Sequence, residues 1–477
     1  MVWKDVLQQL DEYRWQIPRG YKPGMLVPGL IFTDGEELAI LKEEGQALEQ
    51  VANAACLPGI AGYSYAMPDI HTGYGLPIGG VVATKLPDGL ITPGGVGYDI
   101  NCGVRLLATP WQEEDLEDKW SYLADELYRV VPSGLGARGG LKVSQGDLEQ
   151  VLLRGAAWAV EQGMGFEEDL RMSEEEGGMS GADPSAVSPR AQKRGQGQLG
   201  TLGSGNHFVE VQVVDRVYRE EEGKIMGLAQ GQVVVMIHSG SRGLGHQVCT
   251  DYTRRMVGAM DRYGIKLPDR QLAGAPLNSP EGRQYFGAMA AAANYAWANR
   301  QVLTHRVREA LAKVMGKGQI RVVWDVAHNI AKIEEHIVDG EKMKLCVHRK
   351  GATRAFPPGH GLLPDPYRQM GQPVLVPGDM GSGSYVLVGK RGEGFASACH
   401  GAGRRLSRGE AKRRLQRDEI LSELAQAGVE LRASSRQAVL EEAPTAYKDV
   451  DKVVRISEGA GLTQQVLRLA PRGVIKG

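Results

Sequence analysis

Five side chains that commonly bind metal ions stand beside glycine-rich turns at the ends of predicted strands. They are Asp99 and Cys102 in GGVGYDINCGVRLL, His207 in GSGNHFVEV, His238 in VVVMIHSGSRGLGH and His328 in VVWDVAHN. One histidine at a strand end is more often structural, but four motifs with one pattern indicate a metal centre. A thiolate can bridge two ions, so the five ligands could serve a dinuclear site; their softness favours zinc, and the carboxylate leaves manganese open. Asp325 is a candidate acceptor for a ligating histidine, with a capping role as the alternative.

His400 lies outside this pattern, in the segment SACHGAGRR. The residues that follow it are first small and then basic: Gly401, Ala402, Gly403, Arg404 and Arg408. Small residues let a large group approach the backbone, and arginines beside such a gap indicate a bound anion. These features argue against a core-filling role for His400. They leave three hypotheses open, namely a metal ligand, a general base, or a nucleophile that forms a phosphoramidate.

Further cationic side chains are embedded in glycine-rich segments, where they predict contacts with phosphate groups. They are Arg194 in KRGQGQLG, Arg242 in HSGSRG, and Arg349, Lys350 and Arg354 in HRKGATR. The sequence has no GxxxxGK[ST] P-loop, and its GxGxxG pattern at Gly134–Gly139 lacks a preceding strand and predicts a turn. Aromatic residues make up only 6% of the chain and are not interleaved with basic ones, so no base-stacking platform is expected.

The elements that must position these residues alternate without a regular βαβ rhythm. Apolar periodicity predicts helices over 36–56, 113–131, 147–163 and 281–316, the last rich in alanine. Strands are predicted at CGVRLLATP, NHFVEVQVVD, GQVVVMIHSG and QIRVVWDVAHN. The polar, glycine-rich stretch 173–198 predicts a long surface loop. With no clear linker, this pattern favours an α+β fold over a doubly wound sheet.

Bulk properties restrict the class of protein. The 477 residues contain no apolar run long enough for a membrane span and no secretion signal, so no membrane partner is expected. Five scattered cysteines without a CxxC pair indicate reduced thiols and a soluble, cytoplasmic protein. The formal net charge is −1, so binding to nucleic acid would need a local basic groove.

Ten segments together resemble the RtcB-type RNA-splicing ligases. In family order, from about residue 22 to residue 477, they are MPDIHTGYGLPIGGV, GGVGYDINCGVRLL, GTLGSGNHFVEVQ, IHSGSRGLGH, WDVAHN, HRKGATRAFPPG, PGDMGSGSYVLVG, SACHGAGRRLSR, EAPTAYKDVDKVV and GVIKG. The resemblance implies one large RtcB-like domain over 1–477, of α+β type. It also implies mixed sheets and many glycine-rich loops around a central metal site.

The activity that this resemblance implies is GTP-dependent RNA ligation, in tRNA splicing or RNA repair. An RNA end with a 2′,3′-cyclic phosphate or a 3′-phosphate would be joined to a 5′-hydroxyl end. His400 would attack the α-phosphorus of GTP, carry GMP, and pass it to the 3′-phosphate to give an RNA(3′)pp(5′)G end. The implied cofactors are two Mn²⁺ per active site and GTP. The implied partners are tRNA halves or broken RNA, with an archease activator in some members.

The same resemblance assigns roles to individual residues. Its metal ligands fall on the strand-end set, with Cys102 as the bridge, and manganese replaces the zinc favoured by softness. Contacts to GTP or GMP fall on Asn206, Phe208, Glu210, Ser384, His400, Gly401, Ala402, Gly403, Tyr447 and Lys476. Contacts to RNA phosphates fall on Arg194, Arg242, Arg404 and Arg408, with Asn206 as a further contact. Asp69, in MPDIH, is a catalytic candidate that orients the substrate near the metal. Asp379 stands where some members have serine, which makes Ser384 the better candidate in that loop.

Two other functions fit the residues. A dinuclear-metal phosphohydrolase would use the same ligands without a covalent histidine. An RNA-binding chaperone would hold a structural metal and catalyse nothing. Attachment of guanylate to His400 separates both from the ligase.

Overall fold

The computed structural model of the protein describes residues 3, 5–134, 137, 139 and 141–477. Its strands, in chain order, are β1 Gln8–Gln9, β2 Arg14–Ile17, β3 Gly29–Phe32, β4 Ile60–His71, β5 Ile78–Lys85, β6 Leu90–Ile91, β7 Gly103–Gln112, β8 Phe208–Val217, β9 Gln232–Ser239, β10 Ala275–Pro276, β11 Arg321–Ala327, β12 Asn329–Val338, β13 Glu341–Lys350, β14 Ala352–Arg354, β15 Pro373–Val376, β16 Ser384–Gly389, β17 Ser397–Cys399, β18 Glu430–Ala433 and β19 Thr463–Lys476. Its helices are α1 Gly35–Glu44, α2 Gln46–Ala54, α3 Trp120–Val130, α4 Gln145–Arg154, α5 Ala156–Glu161, α6 Glu167–Arg171, α7 Pro189–Gly195, α8 Glu220–Met226, α9 Arg242–Arg262, α10 Pro280–Met315, α11 Asp365–Arg368, α12 Glu393–Ala396, α13 Arg408–Arg414, α14 Arg417–Gln426, α15 Arg436–Glu441 and α16 Val450–Gly459.

Two sheets hold most of the strands. The seven-stranded sheet has the order β1-β2-β3-β4-β5-β13-β12. The eight-stranded sheet has the order β11-β7-β9-β8-β19-β16-β15, with β18 pairing to β19. Most pairs are antiparallel, but β3–β4 and β18–β19 are parallel, so both sheets are mixed. Helices and strands are interspersed, which confirms the predicted α+β architecture.

The alanine-rich helix is confirmed as α10. It spans 36 residues, and the hydroxyl of Ser279 caps its start by accepting a hydrogen bond from the backbone N–H of Gly282 at 3.0 Å. Its central residues are fully buried, because the helix passes between α3, α4, α5 and α9 and behind β9. Small side chains allow these neighbours to approach closely, and the helix supplies Arg300 to the site described below.

The other predicted helices are interrupted. The stretch 36–56 forms α1 and α2, which meet at Gly45, and 147–163 forms α4 and α5, which meet at Gly155. Gly155 has a φ of 59°, and a Cβ there would lie 2.2 Å from the carbonyl oxygen of Gly177. Only glycine fits this close approach. In 113–131, a 3-10 turn precedes α3. Apolar periodicity continues across such breaks, so it could not reveal them.

The stretch 173–198 differs from the predicted surface loop at its beginning. It contains two 3-10 turns and α7, and Ser173 and Glu174 are buried. Ser173 forms a β-bridge with Asp325, and the carboxylate of Glu174 accepts a hydrogen bond from the backbone N–H of Ala327 at 2.7 Å. Polar residues that look solvated in the sequence are therefore used in buried hydrogen bonds next to β11.

The turn predicted at Gly134–Gly139 falls partly on residues that lie outside the described ranges. Within those ranges, none of the helices combines the length and the apolar character that a membrane crossing needs.

Candidate active site

The four motifs that carry the candidate metal ligands meet at one edge of the eight-stranded sheet. Strands β7 and β8 begin directly after Cys102 and His207, whereas β9 ends one residue after His238 and β11 ends directly before His328. The strand order β11-β7-β9-β8 is antiparallel throughout, so beginnings and ends alternate along the same edge. The sheet thereby brings together four motifs that are far apart in the sequence.

The donor atoms of these candidate metal ligands form two groups that share one sulfur. The five residues, Asp99, Cys102, His207, His238 and His328, are called the metal-type cluster below. Sγ of Cys102 lies 3.3 Å from Nε2 of both His207 and His238, and Nε2 of His238 lies 3.2 Å from Nε2 of His328. Oδ2 of Asp99 lies 2.8 Å from Nε2 of His207. One group is thus Cys102 with His238 and His328, and the other is Cys102 with Asp99 and His207. Ligand bonds of about 2.0–2.3 Å place donors roughly 3.3–3.8 Å apart around a tetrahedral ion. The sulfur–nitrogen distances fall in this range, whereas the contact between Asp99 and His207 has the length of a hydrogen bond, so these two atoms must separate to hold an ion. Two groups that share a thiolate suit a dinuclear site.

Burial sets the protonation states in this cluster. It lowers the pKa of His238 and of His328 well below the usual value, so both imidazoles are neutral and can offer lone pairs. Burial, with the nearby carboxylate of Asp99, raises the pKa of the Cys102 thiol well above its usual value. A bound cation would offset this cost by stabilising the thiolate. The chemistry of the donor set therefore fits divalent metal ions.

Asp325 does not accept a hydrogen bond from a ligating histidine, contrary to the sequence prediction. Its carboxylate accepts hydrogen bonds from Nε of Arg105 at 2.8 Å and from Nη2 and Nε of Arg300 at 2.8 and 2.9 Å. All three side chains are fully buried. The aspartate is used to neutralise two guanidinium groups, which leaves none of its oxygens facing the histidines.

Arg300 connects this buried pair to the metal-type cluster. Its Nη1 donates to the carbonyl oxygens of Asn101 and Ser239, both at 2.9 Å. Asn101 precedes Cys102 and has a φ of 51°, a conformation that costs energy outside glycine. Ser239 follows His238. Arg300 therefore holds the backbone on both sides of the cluster.

His400 lies directly after β17 and is fixed by Asp69 on β4. Its backbone N–H and its ring Nδ1 contact Oδ2 of Asp69 at 2.9 and 2.5 Å. A carboxylate only accepts, so Nδ1 carries the hydrogen and Nε2 holds the lone pair of the neutral ring. The ring centroid lies 4.8 Å from that of His328, yet His400 belongs to neither metal group. This geometry favours a base or a nucleophile over a metal ligand.

The small residues after His400 pack against Asp69 on β4 and against Pro377. A Cβ on Gly403, whose φ is 78°, would lie 2.6 Å from the carbonyl oxygen of Asp69, so this position needs glycine. The backbone N–H of Ala402 donates to the carbonyl oxygen of Pro377 at 3.1 Å, and the carbonyl oxygen of Gly403 accepts from Lys448 at 2.9 Å. The loop is therefore held close to Asp69.

A cavity of about 990 Å³ contains both His400 and part of the metal-type cluster. Its size suits a nucleotide. Predicted residues on its wall are Asp99, Cys102, Asn206, Phe208, Glu210, His238, His328, His400, Gly401, Ala402, Gly403, Arg404, Arg408, Tyr447 and Lys476. The described wall residues do not include five other predicted site residues: Asp69, Arg194, His207, Arg242 and Ser384. Asp69 and His207 contact wall residues directly.

Ser384 lies beneath the wall rather than on it. Its hydroxyl accepts hydrogen bonds from Nε2 of Gln212 at 2.9 Å and from the backbone N–H of Gly378 at 3.3 Å. Gln212 also donates to the carboxylate of Glu210 at 2.5 Å. Asp379, which does line the cavity, accepts from the backbone N–H groups of Gly381 and Ser382. Ser384 is thus linked to Glu210 through Gln212, and Asp379 shapes its own turn.

A buried carboxylate, Glu442, organises the basic part of the wall, and the sequence did not indicate it. Nη1 of Arg404 and Nε of Arg408 donate to its Oε1 at 3.2 and 3.3 Å, and the hydroxyl of Tyr447 donates to its Oε2. Burial alone would raise the pKa of Glu442, but Lys476 and Arg404 lower it overall, so it stays ionised. Glu442 is the second of two consecutive glutamates before APTAY, and neither its type nor its spacing predicts this role.

The predicted phosphate-binding cations differ in availability. Only 17% of the Arg404 side chain is exposed, because it also donates to backbone carbonyls, whereas Arg408 is 53% exposed. Nη1 of Arg194, an exposed residue, donates to Gln247 at 3.0 Å. Nε of Arg242 donates to the hydroxyl of Thr201 at 3.0 Å.

In HRKGATR, the phosphate prediction is wrong for both arginines. Both are buried: Arg349 forms a double hydrogen bond with Glu334, and Arg354 pairs with Glu174 and Glu175. Of this segment, Lys350 and Gly351 line the cavity, and Lys350 is the cation among them.

Fold and site together define a mixed-sheet α+β protein with a candidate dinuclear centre and an aspartate-oriented histidine in one nucleotide-sized cavity. A family model described as "tRNA-splicing ligase RtcB" matches residues 50–477. The tRNA-splicing ligase RtcB of Archaeoglobus fulgidus is 52% identical over 484 residues, covering 100% of both chains. That of Thermococcus kodakarensis is 54% identical, covering 99% of each, and the RNA-splicing ligase RtcB of Mycobacterium bovis is 52% identical, covering 90% of this chain and 100% of its own. The chain belongs to the RtcB family of RNA-splicing ligases, which confirms the resemblance seen in its motifs.

Proposed function

We propose that the protein is a GTP-dependent ligase that joins RNA 2′,3′-cyclic phosphate or 3′-phosphate ends to 5′-hydroxyl ends, in tRNA splicing or RNA repair. The whole chain, 1–477, would act as one domain. The observation that carries the proposal is the Asp69–His400 pair, which leaves Nε2 of His400 as the free ring nitrogen beside two metal-type groups. That arrangement suits a histidine nucleophile acting on a nucleotide phosphate.

The first step would guanylylate His400. Nε2 attacks the α-phosphorus of GTP and forms an N–P bond, while the bond from that phosphorus to the bridging oxygen breaks and pyrophosphate leaves with the electron pair. The ring becomes positively charged, and the buried carboxylate of Asp69 stabilises it through Nδ1–H. The division of roles follows from the tautomer: Asp69 holds the Nδ1–H of His400, so Nε2 is the nitrogen that attacks.

The next steps would return the histidine to its starting state. Water first opens a cyclic phosphate at its 2′-oxygen to give a 3′-phosphate. An oxygen of this 3′-phosphate attacks the phosphorus on His400, and the N–P bond breaks with its electron pair returning to Nε2. The 5′-hydroxyl then attacks the 3′-phosphorus, GMP leaves, and the hydroxyl proton passes to solvent. One GTP thus drives the formation of both the activated RNA(3′)pp(5′)G end and the final 3′–5′ linkage.

The residues proposed to hold two manganese ions are those of the two groups that share a sulfur: Asp99, Cys102, His207, His238 and His328. Bound there, the ions would neutralise charge on phosphate oxygens as pyrophosphate and GMP depart. Arg300 would keep Cys102 and His238 in register by holding their neighbouring carbonyl groups.

Guanylate is proposed to bind at the wall formed by Asn206, Phe208, Glu210, Gly401, Ala402, Gly403, Tyr447 and Lys476, with Ser384 supporting from below. The carboxylate of Glu210 is an acceptor suited to the N1–H and amino group of guanine. RNA phosphates are proposed to meet Arg194, Arg242, Arg404 and Arg408. Contact of Arg404 with phosphate requires exchange of its hydrogen bonds to Glu442 and Tyr447.

The decisive experiment is incubation with α-labelled GTP and Mn²⁺, followed by denaturation. We expect an acid-labile label on the protein that is lost in His400→Ala and retained in His305→Ala, a matched change of a half-exposed histidine on α10. If no label appears on the protein with any of the metals tested, the proposal is overturned. Substantial phosphatase activity in His400→Ala without any label would instead support a phosphohydrolase. RNA binding without turnover in any assay would support a chaperone.

A further inference from the structure

Three aromatic side chains from separate segments form a continuous surface beside the metal-type cluster. The ring centroids of Tyr74 and Tyr98 are 5.5 Å apart, and those of Tyr98 and His246 are 4.8 Å apart at 30°. Tyr74 and Tyr98 line the cavity and are half-buried, whereas His246 on α9 is exposed. These three residues are called the aromatic wall below.

The hydroxyl groups of the two tyrosines are not used to fix the rings. Among the described residues, neither Tyr74 nor Tyr98 makes a hydrogen bond through its hydroxyl, whereas the hydroxyls of the core residues Tyr252, Tyr295 and Tyr367 all do. A buried tyrosine usually finds such a partner. Tyr74 and Tyr98 line the cavity and are only half-buried, so their rings are within reach of a ligand there.

Position and charge indicate what the wall meets. Tyr98 directly precedes Asp99, so its Cα lies about 3.8 Å from that of a proposed metal ligand. Nζ of Lys350 lies 6.0 Å from the centroid of the Tyr74 ring, and Arg194 donates to Gln247, the neighbour of His246 on α9. An anionic chain that reaches the metal-type cluster along this side would run past both cations.

The rings themselves are uncharged at neutral pH. Burial and the guanidinium of Arg194 lower the pKa of His246, and burial raises the pKa of Tyr74. Neutral aromatic faces flanked by cations are the combination that binds single-stranded nucleic acid by stacking.

Resting on the proposed function, we propose that the aromatic wall stacks the terminal nucleobase of an RNA end while the reacting group of that end lies at the metal-type cluster. The guanine of GTP has its own proposed site at Glu210 and Lys476, which line the same cavity but are not part of the aromatic wall, so the two bases do not compete. Stacking accepts every base, because each has a π face. The wall therefore orients an end without selecting its sequence.

The first test substitutes wall residues and measures ligation from enzyme already guanylylated, with rates normalised to the amount of labelled protein. We expect Tyr98→Ala to lower kcat/KM for RNA on the order of 10- to 100-fold, and Tyr98→Phe to restore it. Tyr74→Ala should act in the same direction. Tyr122→Ala, at a 52% exposed tyrosine on α3, is the matched control. A Tyr98→Ala enzyme with unchanged kcat/KM overturns the inference.

The second test replaces the terminal base instead of the ring. RNA with an abasic terminal nucleotide, placed either on the 3′-phosphate strand or on the 5′-hydroxyl strand, is ligated by wild type and by Tyr98→Ala. If the terminal base of one strand stacks on the aromatic wall, removing that base and removing the Tyr98 ring disrupt the same contact. Their separate losses of kcat/KM should then not multiply when combined, and the strand that shows this is the one whose end binds the aromatic wall. Losses that multiply for both strands contradict the inference.

A third measurement is independent of catalysis, so that it survives a failure of the proposed function. RNA carrying 2-aminopurine at its terminal position is titrated with protein in Mn²⁺, and quenching of its fluorescence reports stacking. Quenching by wild type that is lost in Tyr74→Ala and Tyr98→Ala supports the wall. Equal quenching in all three overturns it, even where no histidine label forms.

Discussion

One carboxylate oxygen, Oδ2 of Asp69, accepts hydrogen bonds from both the backbone N–H and the ring Nδ1–H of His400. The backbone contact fixes the position of the residue, and the ring contact fixes its tautomer and tilt. Because Asp69 is fully buried in β4, the pair also ties the loop after β17 to the seven-stranded sheet. The proposed nucleophile is thus held by a rigid element although it lies on a loop.

The first prediction concerns Asp69→Asn. An amide can donate as well as accept, so it no longer selects the Nδ1–H tautomer or stabilises a charged ring. We expect guanylylation of His400 to slow by about 100-fold or more. The rate of label incorporation from α-labelled GTP measures this, with the exposed Asp88→Asn as control and circular dichroism as a check of folding. A wild-type rate in Asp69→Asn would contradict the role given to the pair.

The second prediction concerns the buried pair of Arg300 and Asp325. Arg300→Met leaves the carboxylate with Arg105 alone and releases the carbonyl groups of Asn101 and Ser239. We expect the free energy of unfolding to fall by about 3–5 kcal/mol, as for other broken buried pairs. Manganese affinity should fall with it.

Urea unfolding with and without Mn²⁺ measures both effects. The exposed pair of Arg171 and Glu168 is the control, since Arg171→Gln should cost less than about 1 kcal/mol. Equal losses in the two variants would show that Arg300 does not support the metal-type cluster.

The third prediction concerns metal content. Cys102 belongs to both groups, whereas His328 belongs to one. We expect His328→Ala to lose about one of two bound manganese ions and Cys102→Ser to lose more, because a serine hydroxyl stays protonated where a thiol can ionise, and a neutral hydroxyl is a weak bridging ligand. Elemental analysis after dialysis measures the stoichiometry, and Cys56→Ser is the control thiol. Identical stoichiometry in Cys102→Ser and wild type would remove the bridging role.

The fourth prediction is a pH dependence of GTP binding. Burial raises the pKa of Glu210 above its usual value, with Asp379 acting in the same direction and Lys476 opposing it. Only the ionised carboxylate accepts both N–H groups of guanine. The group is therefore protonated over a higher pH range than an ordinary glutamate, and KM for GTP should fall as the pH rises through its raised pKa.

Two variants check the assignment to Glu210. In Glu210→Gln the pH dependence should disappear, because no titrating carboxylate remains. In Lys476→Arg it should persist, because arginine keeps its charge over the whole range. A pH dependence that survives Glu210→Gln and vanishes in Lys476→Arg would assign the titration to the lysine instead.

Local patterns in the sequence were sufficient for much of the fold and for the metal-type residues. Alternation and apolar runs predicted β7, β8, β9 and β11, and alanine-rich periodicity predicted α10, because these elements are defined by nearest neighbours along the chain. Glycine beside a polar strand end marked Asp99, Cys102 and the three histidines. The ten family motifs predicted the family, which is confirmed, and the roles of individual residues, which stay predictions.

Long-range pairing decided what the patterns left open. Asp325 and the arginines of HRKGATR looked available for a histidine or a phosphate, but buried ion pairs with residues distant in sequence consume them. Glu442 and the aromatic wall carried no local signal, because their parts come together only when strands and loops pack. The sequence by itself determined which groups can do chemistry. The tertiary structure decided which are free to do it, because strand register and burial, through Asp69, select the single nitrogen of His400 that is left without a hydrogen.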